Sequence, residues 1–85
     1  MIHMDLNLIG FLKDGKYRIM VLNELNKSHS LPSELAKKLN INRASISRIL
    51  RDLKEKNLIE CTSDNSRTII YSITKDGKNI LGGLK

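Results

Sequence analysis

The chain has few cysteines, few aromatic residues and no long apolar run. Its single cysteine, Cys61, excludes an internal disulfide and fits a reducing compartment. With no tryptophan, one phenylalanine and two tyrosines, the core must be filled by isoleucine and leucine. No apolar run approaches the ~20 residues that cross a bilayer, and the N-terminus has no signal-peptide pattern. These absences predict a cytoplasmic protein without a membrane partner.

Residues that would indicate catalysis or metal binding are also scarce. His3 and His29 stand alone, and Cys61 has no cysteine or histidine at metal-ligand spacing. There is no glycine-rich phosphate loop and no set of serine, histidine and carboxylate for nucleophilic catalysis. We therefore predict that the chain is not an enzyme, that it holds no cofactor and no metal, and that Cys61 packs as a small strand residue.

Positive charge is what the chain has in excess. Its 85 residues, which form one predicted domain over 1–85, carry a formal charge of +6. Most of the excess lies between Lys27 and Lys56, where eight basic residues stand against three acidic ones, a surplus of five. A local surplus of this kind favours an anionic partner such as nucleic acid.

Apolar spacing predicts three helices in the first two thirds of the chain. Helix one carries an apolar stripe of Tyr17, Met20, Val21 and Leu25 that only Glu24 interrupts, and Asp14 is its expected cap. Helix two starts at Pro32, which suits a first helical position. Helix three is capped by Asn42, and Asn57 ends it in a left-handed conformation. The predicted ranges are 16–26, 32–39 and 43–56.

β-Branched residues after Leu58 predict a hairpin followed by a last helix. The strands span 59–62 and 68–73, with a turn at 63–67. Thr74 is expected to cap a helix over 75–81, and Gly82–Gly83 to end it.

The N-terminal apolar segment, 1–14, fits both a strand and a helix, and we favour a short helix. It is richer in apolar residues than a lone small domain needs. Two roles are open: it completes the core, or it packs across a two-fold axis together with Ile80, Leu81 and Leu84. We favour the homodimer.

Residues 31–48 (LPSELAKKLNINRASISR), 50–59 (LRDLKEKNLI) and 71–78 (YSITKDGK) resemble the winged helix-turn-helix of MarR- and ArsR-like regulators. Residues 10–22 are similar to small archaeal-type winged-helix proteins. The resemblance implies an α+β, mostly helical fold with a three-helix core, a two-stranded wing and a short C-terminal helix. It also implies binding to double-stranded DNA. Asn57 stands where the family usually has glycine, and the long flanking helices that form the MarR dimer are missing from this sequence.

Helix three separates an apolar side from a side that would face DNA. Short side chains there let the helix approach the base edges, and Arg48 is placed for a bidentate contact to guanine. Lys37 and Lys38 on helix two could touch the DNA backbone, and Arg67 in the wing could reach the backbone or the minor groove. The predicted DNA-binding residues are Asn42, Arg43, Ala44, Ser45, Ser47, Arg48, Arg51, Arg67, Lys37 and Lys38.

Three functions remain open from the sequence. The favoured one is a sequence-specific transcriptional regulator, acting as a repressor, with helix 43–56 in the major groove and wing 63–67 beside it. The second is a protein–protein interaction module of the transcription machinery, which would carry an acidic or apolar recognition face. The third is a non-specific architectural DNA binder, which would be richer in lysine. The sequence identifies neither an operator nor a small-molecule effector.

Overall fold

A computed structural model describes residues 6–65 and 68–84; Arg67 and residues 1–5 lie outside this range. Within it, five helices surround one antiparallel two-stranded sheet. The elements are α1 (Leu6–Lys13), α2 (Lys16–Lys27), α3 (Pro32–Leu39), α4 (Arg43–Glu55), β1 (Ile59–Asn65), β2 (Thr68–Ile73) and α5 (Lys75–Leu84). The winged helix-turn-helix predicted from the sequence is confirmed.

Helix α4 buries the stripe expected from its spacing. Ile46, Leu50 and Leu53 are buried, and Ile49 packs beside them. Leu35 of α3 joins the same cluster. Burying a leucine or isoleucine side chain stabilises the fold by about 1.5–3 kcal/mol, so this stripe holds α4 firmly against the core.

Helix α2 buries only part of the stripe expected from its spacing. Val21 and Leu25 are buried as predicted, together with Leu22, whereas Tyr17 and Met20 remain 43% and 36% exposed. The segment is apolar on several sides, so its spacing alone does not fix which of these residues face the core. Asp14 does not cap α2 either, because the N-cap is Gly15, without a side-chain hydrogen bond.

The N-terminal segment forms a helix, as favoured, and completes the core of the protomer. Leu12 is fully buried, and Phe11 packs against the same cluster. Ile80 and Leu81 of α5 are also buried inside the protomer. These side chains are therefore used within one chain and are not exposed for a dimer contact.

Helices α3 and α4 both end at an asparagine with left-handed backbone. Asn40 has φ 55° and Asn57 has φ 60°, a conformation that asparagine tolerates better than most residues. After Asn57, the amide of Leu58 donates to the carbonyl of Leu53 at 3.1 Å, and Leu58 is fully buried. The predicted C-terminal end of helix three, which is α4 in the structure, is therefore confirmed. The helix ends at Glu55, one residue before the end of the predicted range 43–56.

The hairpin is longer than predicted, and a third segment borders it. Strand β1 continues to Asn65, with an irregularity in the register between Ser63 and Asn65, so residues 63–65, expected in the turn, belong to the strand. Ser30, which lies between the predicted helices 16–26 and 32–39, is buried and pairs with β2: its amide and carbonyl exchange hydrogen bonds with Tyr71 at 3.0 and 2.9 Å. The hairpin is thereby tied to the loop that precedes α3.

The start of α5 is fixed to the end of α4. The hydroxyl of Thr74 donates to the carbonyl of Asn57 at 2.7 Å and accepts from the amide of Gly77 at 3.1 Å, which confirms Thr74 as the cap. A Cβ on Gly77 would lie 2.3 Å from the carbonyl oxygen of Leu58, so this close approach requires glycine. The expected stop at Gly82–Gly83 is wrong, since α5 runs to Leu84; glycine lowers helix propensity by about 1 kcal/mol and does not forbid a helix.

Candidate nucleic-acid interface

The side of α4 opposite the core is exposed and carries arginines among small side chains. Ser45 is half-buried, while the other members are exposed. The exposed members are Arg43, Ala44, Ser47, Arg48 and Arg51. The structure therefore brings together on one surface the α4 residues that the sequence singled out.

The first turn of α4 is closed by its own N-cap. The Oδ1 atom of Asn42 accepts a hydrogen bond from the amide of Ser45 at 2.8 Å. Asn42 is exposed, and because its oxygen is the atom engaged in the cap, its carboxamide nitrogen can still act as a donor. This end of the helix also carries the positive pole of the helix dipole, which favours a phosphate nearby.

The arginines of α4 differ in how far they are engaged. Among the residues that the structure describes, Arg43 and Arg48 have no hydrogen-bond or ion-pair partner. The Nε atom of Arg51 lies 3.9 Å from Oδ1 of Asp52, with the Arg51 side chain 69% exposed. The guanidinium groups of Arg43 and Arg48 are therefore unengaged, and that of Arg51 has one long ion-pair contact, with Asp52.

A shallow groove opens between α3 and the start of α4. It encloses about 400 Å³. Ala36 and Ile41 contribute its apolar part, Lys37 and Arg43 contribute two positive charges, and Glu34 contributes one carboxylate. Lys37 thus lies on the same side of the molecule as the start of α4.

Lys38 faces another neighbour. Its Nζ atom lies 3.9 Å from Oε1 of Glu24 on α2, and the same carboxylate accepts from Lys27 at 3.1 Å. The two lysines, adjacent in sequence and given similar roles there, are separated by the fold. Lys37 adjoins the exposed face of α4, and Lys38 belongs to the α2–α3 contact.

Sequence reasoning did not find Arg18, which links three elements at the other end of α4. One guanidinium nitrogen of Arg18 donates to the carbonyl of Phe11 in α1. The other lies 3.6 Å from Oδ2 of Asp52 in α4, and the group stacks 4.0 Å from the centroid of the Phe11 ring. The Nζ atom of Lys56 lies 5.5 Å from the same ring. No local pattern signals these contacts, because the partners lie on different helices and meet only when those helices pack.

Residues 6–65 and 68–84 contain no metal-binding cluster and no membrane-spanning helix. No group of three or more histidine, cysteine, aspartate or glutamate side chains there could hold a metal ion. None of the helices in that part of the chain is long and apolar enough to cross a membrane. Cys61 is half-buried and free.

Comparison with known proteins finds one matching sequence family and several solved structures of the same fold. The sequence profile of one protein family, the HVO_A0261 N-terminal domain, matches residues 6–85. A search of curated protein sequences finds no relative. Several solved structures share the fold at low sequence identity.

AdcR, an adhesin competence repressor from Streptococcus pyogenes, superposes with a TM-score of 0.77 at 21% identity, over 92% of this chain and 63% of AdcR. Wild-type ZitR from Lactococcus lactis in complex with DNA gives a TM-score of 0.70 at 24% identity, over 76% of this chain and 46% of ZitR. A mutant of MarR from E. coli complexed with operator DNA gives 0.72 at 23% identity, over 79% and 50%.

The chain thus spans from about half to just under two thirds of the length of these structures. AdcR is described as a repressor and the MarR mutant was solved with operator DNA, while the absence of catalytic activity in this chain stays a prediction. With its fold that of the MarR-type winged-helix regulators and its sequence matched almost from end to end, the chain belongs to the HVO_A0261 N-terminal domain family.

Proposed function

We propose that the chain is a sequence-specific transcriptional regulator that binds double-stranded DNA and acts as a repressor. The observation that carries the proposal is the exposed face of α4, where Arg43 and Arg48 stand unengaged among alanine and serine side chains. The fold supports it, since AdcR is a repressor and the MarR mutant was solved on operator DNA.

Helix α4 is the element that enters the major groove in this proposal. The groove is about 12 Å wide and admits one α-helix. The side chains of Ala44 and Ser47 are short, so the helix axis can approach the base edges closely. Arg48 projects from the middle of that surface, where its forked guanidinium can pair with O6 and N7 of guanine.

Phosphate contacts would surround this base-reading surface. Arg43 and Lys37, which share the groove beside the first turn of α4, are suited to one DNA strand. Asn42 can donate to the backbone through its free carboxamide nitrogen. Arg67, between the two wing strands in sequence, is proposed to contact the backbone or the minor groove.

A homodimer remains part of the proposal. Two recognition helices related by a two-fold axis would lie about 34 Å apart and read an inverted repeat. Because Leu12, Ile80 and Leu81 are buried in the protomer, the dimer contact must use side chains other than these.

Fluorescence anisotropy on labelled duplex DNA at several salt concentrations tests the function. We expect roughly micromolar binding to mixed-sequence DNA that weakens steeply with salt, followed by recovery of a preferred sequence on selection from a random library. On that sequence Arg48→Ala should cost about 1–3 kcal/mol of binding free energy. Lys78→Ala, which removes one exposed charge from α5, is the matched control and should bind nearly as wild type.

Each alternative function has its own outcome in this experiment. Wild-type protein that shows no salt-sensitive binding at low ionic strength would contradict the proposal and favour a protein partner. Salt-sensitive binding with no sequence recovered would favour an architectural DNA binder.

A further inference from the structure

We propose that Arg18 is a positioning residue for DNA binding: it holds the carboxylate of Asp52 and thereby leaves the guanidinium of Arg51 for a DNA phosphate. The inference rests on the proposed function. It concerns a residue on α2 that lies outside the exposed face of α4.

Arg18 is fixed from three directions. Its guanidinium donates to the carbonyl of Phe11, stacks on the Phe11 ring and lies 3.6 Å from Oδ2 of Asp52. Its side chain is only 25% exposed. A guanidinium held in this way is pre-organised, so little conformational entropy is lost when it pairs with a carboxylate.

Asp52 lies between two arginines of different mobility. Oδ2 faces Arg18 at 3.6 Å, and Oδ1 lies 3.9 Å from Nε of Arg51. Asp52 is 31% exposed and Arg51 is 69% exposed. The half-buried Arg18 is therefore the better partner for the carboxylate, and Arg51 is the one free to move towards solvent.

The charge of Asp52 matters because α4 is the helix proposed to approach DNA. An uncompensated carboxylate there would repel phosphate and attract the nearest cation. Within the described part of the chain, Arg18 and Arg51 are the cations within ion-pair distance of Asp52. Without Arg18, Arg51 is left to neutralise Asp52 and is withdrawn from DNA.

A double-mutant cycle on DNA affinity tests the coupling. Arg18→Ala should weaken binding about threefold or more and lower the slope of log affinity against log salt by about one, the change expected when one phosphate contact is lost. In an Arg51→Ala background the same change should have little further effect, because the contact it disturbs is already gone. Lys78→Ala controls for the loss of one positive charge.

Rescue distinguishes positioning from a merely structural role. Asp52→Asn added to Arg18→Ala removes the carboxylate that captures Arg51, so affinity and salt slope should return to wild-type values. If Arg18 acts only through its packing on Phe11, the second substitution restores neither. Thermal melts followed by circular dichroism ensure that every variant is measured while folded, and Arg18→Gln replaces Arg18→Ala should the alanine variant unfold.

The two proposals fail separately. Absence of salt-sensitive binding by the wild-type protein would overturn the proposed function. Normal wild-type binding with additive effects of Arg18→Ala and Arg51→Ala, or without rescue by Asp52→Asn, would overturn only the role of Arg18.

Discussion

The two ends of α4 are built in opposite ways. The first end, residues 42–48, is held by its own N-cap and presents Arg43 and Arg48 to solvent without partners among the described residues. The C-terminal end with the residues that follow it, 52–58, contacts three other elements. Asp52 forms an ion pair with α2, Lys56 lies over a ring of α1, and the carbonyl of Asn57 accepts a hydrogen bond from the cap of α5. We refer to them as the reading end and the anchored end.

The contrast shows how a small fold can present a free surface at a defined angle. Contacts that fix the direction of α4 are placed where they do not occupy the side chains that would meet DNA. A binding surface built on a rigid element is positioned more accurately than one on a loop. We therefore expect damage to the anchored end to reduce stability first, and damage to the reading end to reduce DNA binding first.

Breaking the anchored end should have the largest effect. In Gly77→Ala the new Cβ would lie 2.3 Å from the carbonyl oxygen of Leu58 and 2.6 Å from Cγ1 of Ile73. Backbone must move to relieve this overlap, so we expect the free energy of unfolding to fall by about 3 kcal/mol, the upper end of the usual cost of overpacking. Urea denaturation measures it.

Gly82→Ala is the matched control for that substitution. Gly82 is also in α5, and an added Cβ there meets nothing within 4 Å. Alanine should raise the free energy of unfolding by about 0.5–1 kcal/mol, because glycine is the weaker helix former. Equal effects of the two substitutions would contradict the close approach at Gly77.

Asn42 tests whether the reading end separates stability from binding. Asn42→Ala removes the cap on the amide of Ser45 and should cost about 1 kcal/mol of unfolding free energy. Asn42→Asp keeps a capping oxygen, so stability should stay near wild type. The added negative charge should nevertheless weaken DNA binding in anisotropy titrations. An aspartate variant that binds DNA as well as wild type would place Asn42 away from the DNA.

The adjacent lysines of α3 give the smallest effect and define the edge of the reading end. Lys37 shares a groove with Arg43, whereas Lys38 lies 3.9 Å from Glu24. Lys37→Ala should lower the salt slope of DNA binding by about one, and Lys38→Ala should change it less. Salt titrations of both variants measure the two slopes. A larger change for Lys38→Ala than for Lys37→Ala would move the DNA path towards α2.

Much of the fold could be predicted from local patterns in the sequence. The stripe of Ile46, Leu50 and Leu53 is flanked by polar residues, so its phase is unambiguous. Asn57 and Thr74 have side chains that suit helix ends, and both act there. The exposed α4 face could be read in the same way, because a buried stripe determines the opposite side of a helix.

Features that depend on distant partners could not be read. Four consecutive apolar residues, 19–22, make the core-facing side of α2 ambiguous, so Val21 and Leu25 could be predicted as buried, whereas the burial of Leu22 and the exposure of Met20 could not. Arg18 and Asp52 meet only because α2 and α4 cross. Ser30 has no β-strand pattern around it, and its pairing exists because β2 lies alongside.

The pairing of Ser30 with Tyr71 has a further consequence for self-association. Strand β2 pairs with β1 on one side, and its other side would offer unpaired backbone groups to a second chain. Ser30 occupies that side at Tyr71 through two backbone hydrogen bonds. One residue of a loop thus interrupts the edge of β2 at which a neighbouring molecule could add a strand, and covering an edge in this way disfavours edge-to-edge pairing at that strand.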